Sequence, residues 1–384
     1  MNRGCIAEID LNAVSHNLKA VKEMCGNLPV IAAVKADAYG HGAVAVAKRL
    51  VTDGVGHLAV AFTEEARELR EAGINMPILV FFDPDIEDII KYSLIPVISE
   101  RKTAIAISSM AEKLRVSVNV HVKIDTGMGR MGIYDHHVEE IAGIAALKGI
   151  HIAGVMSHFS EADLADGSFA QRQIDKFRAV KAGLSERGLK IKVFHIANSA
   201  AVMTIPGSHF DAVRPGLMLY GYSPFQPEGT VPDLRTDFAV GTDLKSVPVL
   251  SPLVPVMTVK TRILLLRKVR TGTPVSYGRT FIAKRDSLIG VIAAGYADGF
   301  SRRFSNNAEV LVRGQRSPVV GRVCMDLTMV DVTDLECVEE GDEVTIIGRQ
   351  GDHSIGADEL ALKADTIPYE MLTTLGNMSK RVYV

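Results

Sequence analysis

The 384-residue sequence lacks the features that define several large classes of protein. Its cysteines, Cys5, Cys25, Cys324 and Cys337, are scattered and form no C-x-x-C pair, so we expect free thiols in a reducing compartment rather than a disulfide framework. No apolar run reaches the length of a transmembrane helix, and the first residues contain no apolar segment with a cleavage site. These absences predict a cytoplasmic protein without a secretory signal.

The sequence also carries little net charge, −2 at pH 7 from 43 basic and 45 acidic residues. This balance gives no electrostatic attraction to nucleic acid or to an anionic membrane, so we expect neither partner. The histidines show no H-E-x-x-H motif or paired spacing, so no metal site is predicted, and His121, His151 and His195 are predicted to be strand residues in the core. With 47% hydrophobic and 23% charged residues, the composition is that of a soluble globular enzyme of two or three domains.

Short apolar segments rich in β-branched residues alternate with amphipathic helical segments up to about residue 220. This alternation predicts parallel strands joined by crossover helices. One helix is predicted from about Tyr134 to Leu147, and another from Phe169 to Leu184 has one apolar face made of Ala170, Ile174, Phe177 and Leu184. Eight such units predict an α/β fold with a (β/α)8 TIM-like barrel, and periodicity alone leaves an open doubly wound sheet as the alternative. The predicted strands are Val30–Val34, His57–Phe62, Pro77–Phe82, Pro96–Ser99, Val116–Ile124, Ile150–His158, Lys192–Ile196 and Ala212–Leu219.

The pattern differs at both ends of this region. Cys5–Ile9 is predicted to be a strand that packs elsewhere, and Asp10 is predicted to cap a helix beginning at Leu11. Residues 223–255 contain many prolines and little periodicity, which is typical of a linker. We predict an N-terminal strand in residues 1–10, the barrel in 11–235 and a mainly antiparallel β domain in 236–384. Its predicted strands are Met257–Leu266, Leu288–Ala294, Ala308–Val312, Pro318–Val323, Leu327–Val332 and Glu343–Ile347.

Reactive side chains cluster where the predicted barrel strands end, which is where barrel enzymes build their active sites. Lys35 follows the first strand, Arg130 the fifth and His158 the sixth, and Arg214 lies in the eighth. Burial at such a rim lowers the pKa of a lysine and makes its amine a nucleophile for Schiff-base chemistry. A lysine at this position, taken alone, is more commonly a salt-bridge partner at the rim, but Tyr39, Gly40 and Gly42 just after it favour a ligand site.

A phosphate site is predicted next to this lysine. Asn198 and Ser199 begin a helix after the seventh strand, and Gly216 follows the eighth, the place where barrels usually bind phosphate. A lysine beside a phosphate site indicates two chemistries. One is a Schiff-base aldolase acting on a sugar phosphate, and the other is an enzyme that uses pyridoxal phosphate.

A family resemblance separates these alternatives. The sequence closely resembles the alanine racemases, in order and over nearly its whole length. The resemblance implies pyridoxal 5′-phosphate as cofactor, alanine as substrate and a head-to-tail homodimer that supplies D-alanine for peptidoglycan. The matching motifs are AVKADAYGHG (33–42), VKIDTGMGRMG (122–132), MSHF (156–159), HIANSAA (195–201), VRPGLMLYG (213–221), VSYGRTF (275–281), AAGYADG (293–299), GRVCMDLTMVD (321–331) and TIPYE (366–370).

The resemblance implies a two-base mechanism. Lys35 holds the cofactor covalently and is the base on one face of the substrate, while Tyr277, contributed by the other subunit, is the base on the opposite face. Arg214 hydrogen-bonds the pyridine nitrogen, and His158 orients Arg214. Because arginine does not give up its proton, the ring nitrogen stays unprotonated and the side reactions of a stronger electron sink are restrained. The remaining implied cofactor contacts are Tyr39, Asn198, Ser199, Gly216, Leu217 and Tyr369.

Substrate contacts are implied in the same way. Arg130 orients the substrate carboxylate or the phenolic oxygen of the cofactor, together with the backbone of Met325, again from the other subunit. Lys123 matches a lysine that is carbamylated in many members of the family, and an unmodified lysine paired with Asp125 is the alternative. Tyr296 and Asp326 match positions near the substrate access route.

Four other functions were weighed against this one. A related amino-acid decarboxylase would place a carboxylate where Arg214 stands, and a non-catalytic pyridoxal-phosphate carrier would lack the β domain. An aldolase explains none of the motifs in the last 130 or so residues. A racemase of broader specificity shares every motif and stays open. The stretch Gly241–Pro252 is longer than the usual connection between the domains, and we predict a surface loop there.

Overall fold

The structure, a computed structural model, describes residues 4–164, 166–225 and 252–384. The chain divides into two compact units. The barrel unit consists of Val14–Ala38 and Ala43–Leu253, and the β unit of Met1–Ala13, Tyr39–Gly42 and Val254–Val384. The boundary predicted between residues 235 and 236, and the loop predicted at Gly241–Pro252 apart from Pro252 itself, lie outside the described residues.

The chain begins with strand β1 (Ile6–Ile9) and helix α1 (Leu11–Cys25). Asp10 caps the helix as predicted, because its Oδ1 accepts the N–H groups of Asn12 at 2.8 Å and Ala13 at 3.1 Å. The helix buries one apolar face, which includes Val14 and Leu18.

A closed ring of parallel strands forms the barrel unit, which confirms the predicted barrel. Seven strands pair in the order β2-β3-β4-β5-β6-β8-β9, and β7 lies beside β6. The ring is closed by Val213, which forms a parallel bridge to Val30, the residue just before the first strand of this order. The strands are β2 (Ile31–Ala33), β3 (His57–Val60), β4 (Ile78–Val80), β5 (Ile95–Ile98), β6 (Val118–Asp125), β7 (Ile133–Tyr134), β8 (Ile150–Met156) and β9 (Val193–His195).

Helices follow most of these strands, as a (β/α) barrel requires. The longest, α8, buries Ala170, Ile174, Phe177 and Leu184 on the face that its periodicity predicts. The helices are α2 (Lys35–Tyr39), α3 (Ala43–Thr52), α4 (Thr63–Glu71), α5 (Ile86–Lys91), α6 (Arg101–Leu114), α7 (Val138–Ala145), α8 (Ser168–Glu186) and α9 (Ser199–Thr204).

Two predictions for the barrel were wrong in detail. The eighth strand, predicted at Ala212–Leu219, stops early, because Pro215 has no N–H group to donate and Leu217–Tyr220 forms a buried 3-10 turn. The helix predicted from about Tyr134 begins only at Val138, since Ile133–Tyr134 pairs with β6 as β7.

Antiparallel strands dominate the β unit, as predicted. The 13-residue strand β10 is its centre and pairs with β1, β13 and β17 in antiparallel register, whereas β1 pairs with β19 in parallel. The elements are β10 (Met257–Val269), β11 (Pro274–Val275), β12 (Phe281–Ile282), β13 (Ser287–Ile292), β14 (Glu309–Val312), β15 (Gln315–Pro318), β16 (Thr328–Asp331), β17 (Glu343–Gln350), β18 (His353–Ile355), α10 (Ala357–Ala364), α11 (Pro368–Met378) and β19 (Lys380–Tyr383).

The strand predicted at Pro318–Val323 was displaced from its true position. The chain instead forms β15 over Gln315–Pro318, because the turn after Val312 returns it directly along β14. The helices α10 and α11 were not predicted at all.

Candidate active site

Lys35 lies just after β2, where the chain makes an unusual left-handed turn. Ala36, Asp37, Ala38 and Tyr39 all have φ between 53° and 55°. Left-handed backbone costs an L-residue about 1–2 kcal/mol, so four in succession persist only where other contacts compensate. One compensating contact is the hydrogen bond from the Ala38 N–H to the Val34 carbonyl at 2.9 Å.

A second compensating contact comes from Glu65 in the first turn of α4. Its Oε1 accepts the Ala36 N–H at 2.5 Å, directly after Lys35. Its Oε2 accepts the N–H groups of Ala61 at 2.6 Å and Phe62 at 3.1 Å. One carboxylate therefore joins the start of α4 to the turn that carries the lysine, a role that sequence analysis missed.

The electrostatic surroundings of Lys35 favour its neutral amine. Burial lowers the pKa of Lys35, and the positive charge of Arg130 lowers it further, while Glu65 opposes the shift. A lysine with a lowered pKa is the nucleophile that Schiff-base chemistry requires.

Arg214 lies buried beneath this rim and uses both terminal nitrogens in hydrogen bonds. Nη1 donates to Nδ1 of His195 at 2.7 Å and to the His195 carbonyl at 3.0 Å. Nη2 donates to the carbonyl of Ser157 at 2.7 Å, to Nδ1 of His158 at 3.1 Å and to the carbonyl of Ile196 at 3.3 Å. None of these bonds involves the Nε–H group, which leaves it for another acceptor. Burial lowers the pKa of Arg214 to about 9, so the group is still charged near neutral pH.

Lys123 and Arg130 share one aromatic neighbour, Phe82. Lys123 Nζ lies 5.7 Å and Arg130 Cζ 6.0 Å from the centre of its ring, within cation–π range. Lys123 is only 4% exposed, and burial together with Arg130 and Arg214 lowers its pKa to about 8. Sequence analysis missed Phe82.

Among the described residues, Asp125 forms no ion pair with Lys123. Its Oδ1 instead accepts the N–H groups of Gly127 at 2.9 Å and Gly129 at 3.1 Å and so shapes the loop that leads to Arg130. The alternative of an unmodified lysine paired with Asp125 stays a prediction, because this carboxylate bonds the loop backbone and its charge still raises the pKa of Lys123.

Ser199 and Gly216 come together as the sequence predicts. Asn198 caps α9 by accepting the Ala201 N–H at 3.0 Å. The Ser199 Oγ accepts the N–H groups of Gly216 at 2.9 Å and Met218 at 3.3 Å, which places the start of the turn containing Leu217 against the helix. The arrangement is a small cradle of hydroxyl and amide groups, suited to an anion.

The β unit carries the two tyrosines predicted to bind phosphate. The rings of Tyr39 and Tyr369 lie 5.9 Å apart between centroids. Gly40, with φ of 83°, packs directly against α11, since a Cβ there would lie 2.6 Å from the Leu372 carbonyl oxygen. This close approach fixes Tyr39 beside Tyr369.

A second face of the β unit brings together Tyr277, Met325 and Asp326 around a cavity of about 430 Å³. Tyr277 is 68% exposed and Met325 54%, so both side chains are accessible on this face. Tyr296 adjoins them, because its N–H bonds to the Cys324 carbonyl at 3.0 Å. The residue before the tyrosine, Ser276, has φ of 64° and donates its hydroxyl to the Arg322 carbonyl at 2.6 Å, so Tyr277 is presented by a strained backbone.

Within the barrel unit, then, the predicted residues Lys35, Lys123, Arg130, His158 and Arg214 lie within electrostatic reach of one another. In the parts of the chain that the structure describes, no group of three or more metal-binding side chains occurs. No helix in those parts has the length and apolar character needed to cross a membrane.

The fold and the rim define a barrel enzyme with a buried lysine suited to Schiff-base chemistry, followed by a β domain. Comparison with known proteins identifies its family. Residues 9–224 match the model of the alanine racemase N-terminal domain, and residues 256–383 match that of the C-terminal domain. The chain belongs to the alanine racemase family, which makes it an isomerase by class.

Individual relatives agree over the full length. The alanine racemase of Thermodesulfovibrio yellowstonii is 48% identical, with 100% of this chain and 99% of the relative covered. The solved alanine racemase of Clostridium difficile 630 is 34% identical, with a TM-score of 0.89 and coverage of 99% and 96%. The alanine racemase of Bartonella henselae, solved with covalently bound pyridoxal phosphate, is 30% identical, with a TM-score of 0.85 and coverage of 99% of both chains.

Proposed function

We propose that this protein interconverts L-alanine and D-alanine with pyridoxal phosphate as cofactor, by a two-base mechanism in a homodimer. The observation that carries the proposal is the half-buried amine of Lys35 just after β2, with its pKa lowered by desolvation and by Arg130. The family of the chain supplies the reaction.

The residues present fit this cofactor. Lys35 offers an amine for its aldehyde, and Arg214 offers an Nε–H group for its ring nitrogen. Ser199, Gly216 and Leu217 form the hydroxyl and amide cradle for its phosphate, with Asn198 fixing the helix behind them. Tyr39 and Tyr369 are further phosphate ligands on the strength of the family resemblance. When bound, pyridoxal phosphate withdraws electrons from the α-carbon of the substrate and so acidifies its C–H bond.

Two bases on opposite faces move the proton. The Lys35 amine, whose pKa is lowered by partial burial and by Arg130, accepts or returns the α-proton on one face. Tyr277 of the partner subunit does the same on the other face. Its exposure on the β unit supports this role, since a catalytic group shared between subunits has to be accessible before assembly.

Arg214 keeps the ring nitrogen unprotonated. Its pKa of about 9 leaves it charged at neutral pH, so it donates a hydrogen bond without transferring a proton. His158, whose Nδ1 accepts from Arg214 at 3.1 Å, orients the guanidinium. A weaker electron sink limits side reactions such as transamination.

Arg130 and the backbone of Met325 of the partner subunit orient the substrate carboxylate. We propose further that Lys123 is carbamylated. Three positive groups, Arg130, Arg214 and Lys35, lower the pKa of Lys123 against the opposing charge of Asp125, and they would attract a negative carbamate. Tyr296 and Asp326 lie beside Tyr277 and belong to the substrate access route.

The product D-alanine points to peptidoglycan synthesis in the cytoplasm, which we propose as the biological setting.

The decisive experiment is to measure inversion of alanine against a panel of L-amino acids with the cofactor-loaded protein. Strong preference for alanine supports the proposal, whereas comparable turnover of larger amino acids indicates a broader racemase. Release of carbon dioxide without inversion indicates a decarboxylase. Lys35→Ala should lose both the activity and the absorbance of the covalently held cofactor, and retention of both would remove Lys35 from its role.

A further inference from the structure

Two buried histidines extend the hydrogen-bond network of Arg214 into the barrel interior. His195, at the end of β9, is fully buried and lies against Arg214, with 2.7 Å between Nδ1 and Nη1. His121, in β6, is 3% exposed, and its Nδ1 lies 2.8 Å from Nε2 of His195. The three side chains form a continuous line from Arg214 into the barrel. Sequence analysis assigned both histidines only to the core.

The chemistry of the groups fixes the direction of this line. A guanidinium has no acceptor, so Nδ1 of His195 must carry a lone pair. The proton of a neutral His195 then lies on Nε2 and is donated to Nδ1 of His121, which in turn carries its own proton on Nε2. Burial, together with Arg214 and the neighbouring His57 in β3, holds the pKa of both imidazoles well below the ordinary value, that of His121 at about 3, so both are neutral at neutral pH.

The barrel leaves room for this arrangement at one glycine. A Cβ on Gly154 in β8 would lie 2.5 Å from Cε1 and 2.7 Å from Nδ1 of His121. No left-handed backbone explains a glycine at this position, so the space for the imidazole is what it provides. An alanine here would push His121 away while leaving His195 and Arg214 chemically intact.

We propose that His195 and His121 are positioning residues of the reaction. Hydrogen bonds donated from Arg214 to His195, and from His195 to His121, fix the Arg214 guanidinium and keep its Nε–H directed at the cofactor ring. The inference rests on the proposed function. It goes beyond that function because it assigns a role to two histidines that contact neither substrate nor cofactor. Acceptors made of neutral, polarisable rings also stabilise the buried charge without neutralising it.

The first test measures the tautomers in the unmodified holoenzyme by ¹⁵N NMR of histidine-labelled protein, with His195→Asn and His121→Asn used for assignment. We expect His195 and His121 both to carry the proton on Nε2 and to stay neutral at pH 7. A proton on Nδ1 of His195, or a charged imidazole at either position, would overturn the proposal. The spectrum can be read whether or not the enzyme racemises alanine, so failure of the proposed function is recognised separately.

The second test uses variants in the holoenzyme. His195→Leu and Gly154→Ala should lower kcat by about tenfold or more, the loss expected for a hydrogen bond to a charged group, with little change in KM and with a shifted absorbance band of the bound cofactor. His195→Asn, whose side-chain oxygen replaces Nδ1 as acceptor, should recover part of kcat. His209→Leu is the matched control, since His209 is a buried barrel histidine bonded to the Val202 carbonyl and not to Arg214. An unshifted band and unchanged kcat in His195→Leu, or equal losses in the His209 control, would refute the role.

Discussion

Several positively charged side chains act on one another around Lys35. Arg130 lowers the pKa of Lys35, and Arg130, Arg214 and Lys35 all lower the pKa of Lys123. Such mutual repulsion destabilises the fold, and it is relieved when anions bind. The proposed cofactor phosphate and substrate carboxylate, together with a carbamate, supply that negative charge.

The proton chemistry of Tyr277 can be tested without relying on net turnover, because the ratio of the two directions is fixed by an equilibrium that no mutation alters. Tyr277→Phe should keep the cofactor and lower racemisation by roughly 10²–10⁴-fold, the contribution of a general base. In deuterated water the variant should lose exchange of the α-hydrogen of L-alanine while Lys35 still exchanges that of D-alanine. Tyr134→Phe, at a 59% exposed tyrosine of the barrel unit, is the control. Equal exchange of both enantiomers by Tyr277→Phe would contradict the assignment.

The proposed carbamylation of Lys123 depends on the lowered pKa of its amine. A carbamate forms from the neutral amine and carbon dioxide, and a pKa lowered to about 8 makes the neutral form common already near pH 8. Labelled bicarbonate should therefore give a ¹³C carbamate signal that grows as the pH rises through 8, well below the range of an ordinary lysine. The signal should vanish in Lys123→Met and persist in Lys148→Met, which alters a lysine whose side chain is 85% exposed. Its absence from the unmodified protein across this pH range would leave Lys123 an ordinary amine.

At the scale of elements, the left-handed turn after Lys35 depends on α4. Glu65 satisfies three backbone N–H groups, one in the turn and two at the start of the helix. The lysine, the turn and the helix are thereby joined through a single carboxylate. This is the kind of strained backbone that persists only under external restraint.

Glu65→Gln should break this connection, because one of its oxygens becomes an NH₂ group that faces a backbone donor. We expect a loss of about 0.5–1.5 kcal/mol in the free energy of unfolding, the net contribution of a typical hydrogen bond, because the backbone donors are exposed or only partly buried. Cofactor affinity should fall as the turn loosens. Thermal unfolding and cofactor titration measure both effects. Glu64→Gln, at an exposed neighbour in the same helical turn, should change neither, and equal effects of the two substitutions would show that Glu65 acts only as surface charge.

Periodicity predicted the elements whose burial is regular and missed those set by long-range contacts. Alternation placed β2 to β6, β8 and β9, because both faces of these parallel strands are buried. It extended the eighth strand through the apolar residues 217–219, since a buried 3-10 turn is as apolar as a strand. It could not indicate the left-handed turn, because Ala36 and Ala38 have no local preference for that backbone and Glu65, 29 positions away from Ala36, stabilises it.

The site residues were likewise predicted where they depend on strand position and missed where they depend on long-range contacts. Lys35 and Ser199 were predicted as site residues because each follows a strand whose end can be predicted, whereas Arg214 was predicted from an apolar segment whose strand was extended too far. His195 was assigned to the core, and its position inside a strand is indeed a core position. Only the contact with Arg214 at 2.7 Å distinguishes it from a packed histidine, and no pattern in the sequence records that distance.

For the whole molecule, the proposed chemistry is divided between the two units. The barrel unit contains Lys35 and the cationic cluster, and the β unit carries Tyr277 and Met325 on an exposed face. A symmetric dimer buries such a face against its partner, and a head-to-tail arrangement would give each Lys35 the tyrosine of the other chain. The proposal therefore requires that activity depend on dimerisation.

Mixed dimers test this division directly. Lys35→Ala and Tyr277→Phe lie in different units, so random exchange of subunits between the two inactive variants should produce dimers with one intact site, about a quarter of all sites. Racemisation should rise to about that fraction of the unmodified activity after mixing, as followed in a coupled assay of D-alanine. Lys35→Ala mixed with Arg130→Ala is the control, because both changes lie in the barrel unit and no intact site can arise. Sites built within single chains would give no recovery in either mixture, since every site in a mixed dimer would then keep one lesion.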